Sequence, residues 1–78
     1  MIDFLTKIVA AIVDDPKNIK IDFEQANGLS IYKIFVPESE VGKVIGKEGK
    51  VISSIRSLAR LKFFKKQEKV LIKVEALV

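Results

Sequence analysis

The chain has 78 residues, 49% hydrophobic and 31% charged, the balance of one small folded domain near the lower size limit for burying its own core. It contains no cysteine and no histidine, which removes disulfide scaffolds, thiolate or imidazole metal sites, the usual general base and the common catalytic triads. The net charge of +4 is unevenly spread: residues 1–37 carry four lysines against five acids, and residues 38–78 carry ten basic residues against five glutamates.

The opening "MIDFLTKIVAAIVDDP" lacks the form of a secretory signal, since Asp3 stands where a basic residue belongs and Lys7 interrupts the apolar run. Ile8 to Val13 is too short to cross a bilayer. A soluble, cytoplasmic protein with a single domain over 1–78 is expected. Leu5, Ile8, Val9, Ile12 and Val13 recur at helical spacing, with Ile2 or Phe4 extending the stripe, and Asp3 suits the positive end of the helix dipole. "DDPK" ends this helix, because Pro16 lacks a donor and pushes Asp15 out of the α region.

"IKIDFEQ" alternates Ile19, Ile21 and Phe23 with Lys20, Asp22 and Glu24, a half-buried strand. Asn27-Gly28 supplies the positive φ angles of a tight hairpin, and "LSIYKIFV" follows as a second strand closed by Pro37. Both faces of that strand are largely apolar, so the pattern leaves its inward side open. "ESEVGKVIG" reads as a short helix with acids in its first turn. From Lys50 a longer helix puts Val51, Ile52, Ile55, Leu58 and Ala59 on one face, with Ser53, Arg56 and Arg60 opposite. "KVLIKVEAL" alternates Val70, Ile72 and Val74 inward with Lys69, Lys73 and Glu75 outward. The order α-β-β-α-α-β predicts an α+β fold, a three-stranded sheet with helices packed on one face.

Between the two later helices lies "GKVIGKEGK". Residues 42–66 carry Glu48 as their sole acid against eight basic residues. Such a region attracts nucleic acid first and an acidic membrane second, or it is an ordinary solvated face. A nucleotide-binding P-loop is excluded: Gly42 and Gly46 are one residue too close, and Glu48 stands where a hydroxyl must hold magnesium. The dinucleotide fingerprint fails because the glycines run G-x-x-x-G-x-x-G without a βαβ unit. A membrane GxxxG pair fails for want of an apolar span. The remaining reading is a Gly46-Lys47-Glu48-Gly49 turn between helices. Gly46 ends the first helix in a left-handed conformation, and the absence of Cβ atoms lets a sugar-phosphate chain approach. Free amides of the next helix face any bound phosphate. The plain alternative is a structural turn with solvated lysines.

The flanks bear on that choice. "VIGKEGKVISSI", Val44 to Ile55, resembles the KH-domain signature V-I-G-x-x-G-x-x-I-x-x-I, and the element order resembles the type II KH arrangement. The resemblance extends to the small bacterial KhpA-type (YlqC-like) KH proteins through the opening helix, "VDDP", "VPESEVGKVIGKEGKVISSIRS" and the closing strand. "LARLKFFKK" departs from the alanine-rich helix end usual there.

The resemblance implies binding of single-stranded RNA, or DNA, with a GxxG loop holding about four nucleotides by their backbone. Gly46, Lys47, Glu48 and Gly49 would then face phosphate, with Glu48 turned aside and Lys43 and Lys50 flanking. Val44, Ile45, Ile52 and Ile55 become groove-wall candidates beside a plain core reading, which regular apolar stripes favour for Ile45 and Ile55. Arg56 and Arg60 become backbone contacts or solubilising charge, and Tyr32, Phe35, Phe63 and Phe64 the candidates for stacking. The resemblance further implies post-transcriptional regulation, and a homodimer or a pairing with a second KH protein. No catalysis, cofactor or metal is expected. The rival reading is a protein-interaction adaptor whose glycine turn is structural and whose Phe63-Phe64 region docks a partner.

Overall fold

The computed structural model describes residues 1–63 and 69–77. Helix α1 spans Ile2–Ile12, strands β1 and β2 span Lys20–Ala26 and Leu29–Pro37, helices α2 and α3 span Glu38–Ile45 and Lys50–Phe63, and β3 spans Lys69–Leu77. The expected α-β-β-α-α-β order is therefore present, as an α+β, KH-like fold. The sheet runs β1-β2-β3, with β1 antiparallel and β3 parallel to the central β2.

Local chemistry sets the boundaries. After α1 the chain turns extended at Val13 (φ −85°, ψ 156°), and Pro16 opens a short 3₁₀ turn capped by Asp15. The Asp15 carboxylate accepts from the Lys17 backbone N–H at 3.3 Å and from Asn18 Nδ2 at 2.5 Å. The β1–β2 hairpin turns on Asn27 and Gly28, whose φ angles of 53° and 77° are those a two-residue type I′ turn demands.

Among the described residues, helices cover one side of the sheet only. Leu5, Val9 and Val13 of α1 and its end meet Ile34 and Val36 of β2, Val44 of α2, Ile52, Ile55 and Ala59 of α3, and Ile72 of β3 in one core. The inward face of β2, open from its pattern, is thus the Ser30/Ile34/Val36 side, and Ile31, Lys33 and Phe35 lie on the other face. Register explains the choice: Ile34 pairs with Ile21 and Val74, and Tyr32 with Phe23 and Ile72, so apolar rows align across all three strands. Tyr32 packs on Phe23 with ring centroids 4.8 Å apart.

Two apolar expectations fail at the margins. Val70 shares the inward face of β3 yet is 39% exposed, because it pairs with Ser30 at the far end of the ladder. Leu58 is 50% exposed and its neighbour on the next turn, Leu61, 83% exposed, so the buried stripe of α3 narrows to Ile52, Ile55 and Ala59. Phe64 lies outside the described residues, as does the Phe63 side chain. Among the described residues, no helix is long and apolar enough to cross a membrane.

Candidate nucleic-acid interface

The loop between α2 and α3 is built around its glycines. Gly46 donates to the Gly42 carbonyl at 2.8 Å, closing α2, and then adopts φ 78° and ψ 170°. The positive φ is as expected, but this ψ lies outside the left-handed helical well, in a region that only glycine occupies with ease. Space is equally restrictive: a Cβ on Gly46 would stand 2.3 Å from Val51 Cγ2 and 2.8 Å from the Val51 backbone nitrogen. Lys47–Gly49 form one 3₁₀ turn, closed by the Gly49 N–H donating to the Gly46 carbonyl at 3.1 Å. Glu48 (φ 57°) and Gly49 (φ 74°) both have positive φ, and a Cβ on Gly49 would meet nothing within 4 Å. Gly49 therefore serves backbone conformation, whereas Gly46 serves conformation and close packing together. Lys47, Glu48 and Lys50 are exposed along this turn.

Ile45 and Ile52 bracket the loop. With Val74 they form the apolar part of an open cleft of about 390 Å³, whose polar lining is Arg56, Lys73 and Glu75. It lies along the edge of β3 that, among the described residues, has no neighbouring strand. Val44 and Ile55 do not reach it, being 0% and 2% exposed in the core. Arg56 does not simply point to solvent from the back of α3. Its Nε and Nη2 donate to the Ile72 carbonyl at 3.2 and 2.9 Å, which turns that backbone acceptor away from water and fixes the guanidinium at the cleft wall. Arg60 is exposed one turn further on. Tyr32 and Phe35 are half-buried in β2, the latter on the face without helices.

Lys43 is committed elsewhere. Its ammonium pairs with the Asp14 carboxylate and lies 3.7 Å from Glu40 Oε1. The hydrogen bond to Asp14, followed by the charges of Asp14 and Glu40, raises its pKa above the ordinary 10.5. Glu40 itself, 5% exposed, is a residue that sequence reasoning missed. Its two carboxylate oxygens accept from the backbone N–H groups of Asp14 at 2.5 Å and Asp15 at 3.2 Å. This ties the end of α1 to the helix that leads into the glycine loop. In the sequence Glu40 is one of two acids in the first turn of a helix and carries no mark of burial.

A parallel–antiparallel three-stranded sheet, one helical layer and a G-x-x-G turn joining two helices define a KH domain of the type II order. The sequence pattern of the KhpA/KhpB KH domain matches residues 2–74, and the chain belongs to that family, a non-enzymatic one. It is 41% identical over 58 residues to the RNA-binding protein KhpA of Chlamydia caviae, covering 74% of each chain. To the RNA-binding protein KhpA of Thermotoga maritima it is 38% identical over 58 residues, 74% of this chain and 77% of that one. To that of Lactiplantibacillus plantarum it is 35% identical over 54 residues, 69% and 64% of the two chains.

Proposed function

We propose that this chain is a cytoplasmic RNA-binding protein acting in post-transcriptional regulation, in which the Gly46–Gly49 turn holds the backbone of a short single-stranded segment. The observation that carries the reading is the turn's position. Gly49, where a Cβ would meet nothing within 4 Å, lies beside exposed Lys47 and Lys50, at the N-terminal end of α3 and next to the Ile45/Ile52 cleft. Phosphate is drawn to the lysines and to the positive end of the α3 dipole, while bases rest on the apolar wall. Glu48 completes the turn and points its charge away from the strand. Arg60 adds long-range attraction, and Lys43 acts by steadying α2 through its pairing with Asp14.

Relatives bearing the name RNA-binding protein support the same reading. One such domain grips few nucleotides, so useful affinity calls for a second module. Leu58 and Leu61, exposed on α3, offer an apolar ridge for a homodimer or for a second KH protein. The test is fluorescence anisotropy with a short labelled single-stranded RNA, its duplex form, and the Lys47→Asp/Glu48→Asp variant after confirming its fold by circular dichroism. Single-stranded binding that is lost in the variant is expected. Equal binding by wild type and variant would remove the loop from the site.

A further inference from the structure

We infer that the sheet face opposite the helices is a self-association surface, on which a second copy of this chain seats face to face, its β1 over the β3 of the first. This surface is separate from the α3 ridge.

The face is apolar where solvent would favour polar residues. A sheet side that meets water normally alternates to polar side chains. Here Leu29, Ile31 and Phe35 of the central strand lie half-buried on it, with Lys33 as the one polar residue that β2 contributes. On β3, Leu71 adjoins Ile31, and Leu77, 40% exposed, adjoins Pro37. An apolar band therefore runs the length of β2 and along its β3 side, the kind of surface that another protein covers.

The flanking charges say which protein. Cross-strand pairing sets three rows on this face: Lys20–Phe35–Glu75, Asp22–Lys33–Lys73 and Glu24–Ile31–Leu71, with Lys69 beyond the last. A two-fold axis along β2, between two copies, lays each β1 over the other copy's β3 at the same height. Lys20 then meets Glu75 of the second copy, Asp22 meets its Lys73, and Glu24 falls between its Lys69 and Lys73. Phe35 stacks on Phe35 and Ile31 on Ile31 along the axis. The strands stay nearly aligned, as in a β-sandwich. An axis across the strands through Lys33 would instead set Asp22 on Asp22 and Lys73 on Lys73, and like charges oppose it. Lys33 faces its counterpart in either arrangement, but its ammonium lies 3.6 Å from Glu24 of its own chain. Lys20 and Asp22 make only a 4.0 Å contact within one copy, loose enough to exchange for the partners across the axis.

Three strands of this length offer about 400 Å² per copy, about 800 Å² in all, which belongs with weak contacts. A Kd on the order of 0.1–1 mM is expected, beyond reach at micromolar protein. Copies held on one RNA reach millimolar effective concentration, so the face links bound neighbours while the glycine loop, in the opposite layer, stays clear. That use rests on the RNA-binding reading; the pairing does not, and its test contains no RNA.

The test is sedimentation equilibrium on the full chain carrying Leu58→Glu/Leu61→Glu, which silences the α3 ridge and leaves the sheet. This protein should be monomeric at about 10 µM and largely dimeric near 1 mM. Asp22→Lys and Lys73→Asp, each added alone and confirmed folded by circular dichroism, should each weaken pairing at least about tenfold, because the two-fold repeats every contact. The two reversals change net charge in opposite directions, so a loss in both is not a net-charge effect. Combined, they exchange the two charges and should restore pairing to within about threefold. A protein still monomeric near 1 mM overturns the inference and leaves the face to a different protein. Pairing untouched by either reversal, or a combined variant no better than the single ones, overturns it as well. Each of these results leaves the RNA-binding reading intact.

Discussion

Gly46→Ala tests the construction of the loop most sharply, because two separate penalties meet at one atom. The backbone at φ 78°, ψ 170° is a region where a non-glycine residue costs about 1–3 kcal/mol. The added methyl would stand 2.3 Å from Val51 Cγ2, 2.7 Å from its Cβ and 2.8 Å from its backbone nitrogen. A rotamer change of Val51 relieves the first contact but not the other two, so α3 must shift, at about 1–3 kcal/mol for overpacking. A total near 3–5 kcal/mol is expected, a large share of the stability of so small a domain. Gly49→Ala is the internal control: its φ of 74° is also strained, but the new methyl would meet open space, so about 1–2 kcal/mol is expected. Urea unfolding followed by circular dichroism reads both, as a fall in midpoint at unchanged slope. Comparable losses for the two alanines, or a loss below about 1 kcal/mol at Gly46, would refute the claim that Val51 closes over this glycine.

Glu40→Ala should cost about 2–3 kcal/mol in the same unfolding assay, since it strands the Asp14 and Asp15 amides that the carboxylate now accepts from. A surface-like loss under about 0.5 kcal/mol would show that the tie between α1 and α2 does not matter. Because the pKa of Lys43 is raised above 10.5, its folded state holds the proton more firmly. The stabilisation is present in full below that pH and is lost as pH climbs through the folded value. A wild-type excess over Lys43→Met that persisted undiminished at strongly alkaline pH would contradict the pairing. Leu58→Glu/Leu61→Glu, at positions 50% and 83% exposed, should change monomer stability by no more than about 0.5 kcal/mol. The pair should abolish self-association in sedimentation velocity, and an unchanged assembly would clear α3 of that role.

Most of the fold was legible because its signals were local. Pro16, Asn27-Gly28 and Pro37 punctuate the chain, and strict alternation in β1 and β3 leaves little choice of period. The inward face of β2 was not legible, since Ile31 and Phe35 are as apolar as Ile34 and Val36. Only the register with β1 and β3 decides between them. Leu58 and Leu61 fit a helical stripe, and nothing in their spacing tells that the core ends before them. At the site, the glycine spacing revealed the turn, but the reason for Gly46 lies in Val51, a contact made only once α3 folds back. Arg56 looked like a solvent-facing charge because helical periodicity places it opposite Ile52 and Ile55. A long side chain reaching the Ile72 carbonyl escapes that geometry. Lys43 looked like one more cation beside the loop, and its engagement with Asp14 spans 29 positions of sequence, beyond any local pattern.

The central claim, a glycine turn that holds a nucleic-acid backbone with lysine charge, is tested most directly by the salt dependence of single-stranded RNA binding. Log affinity should fall against log salt with a slope of roughly −0.7 for each phosphate neutralised, so two to four loop contacts give a total near −1.5 to −3. Lys47→Asp/Glu48→Asp should flatten that slope by at least about one contact's worth while the protein stays folded. A slope indistinguishable between the two proteins would place the phosphate contacts elsewhere and contradict the account.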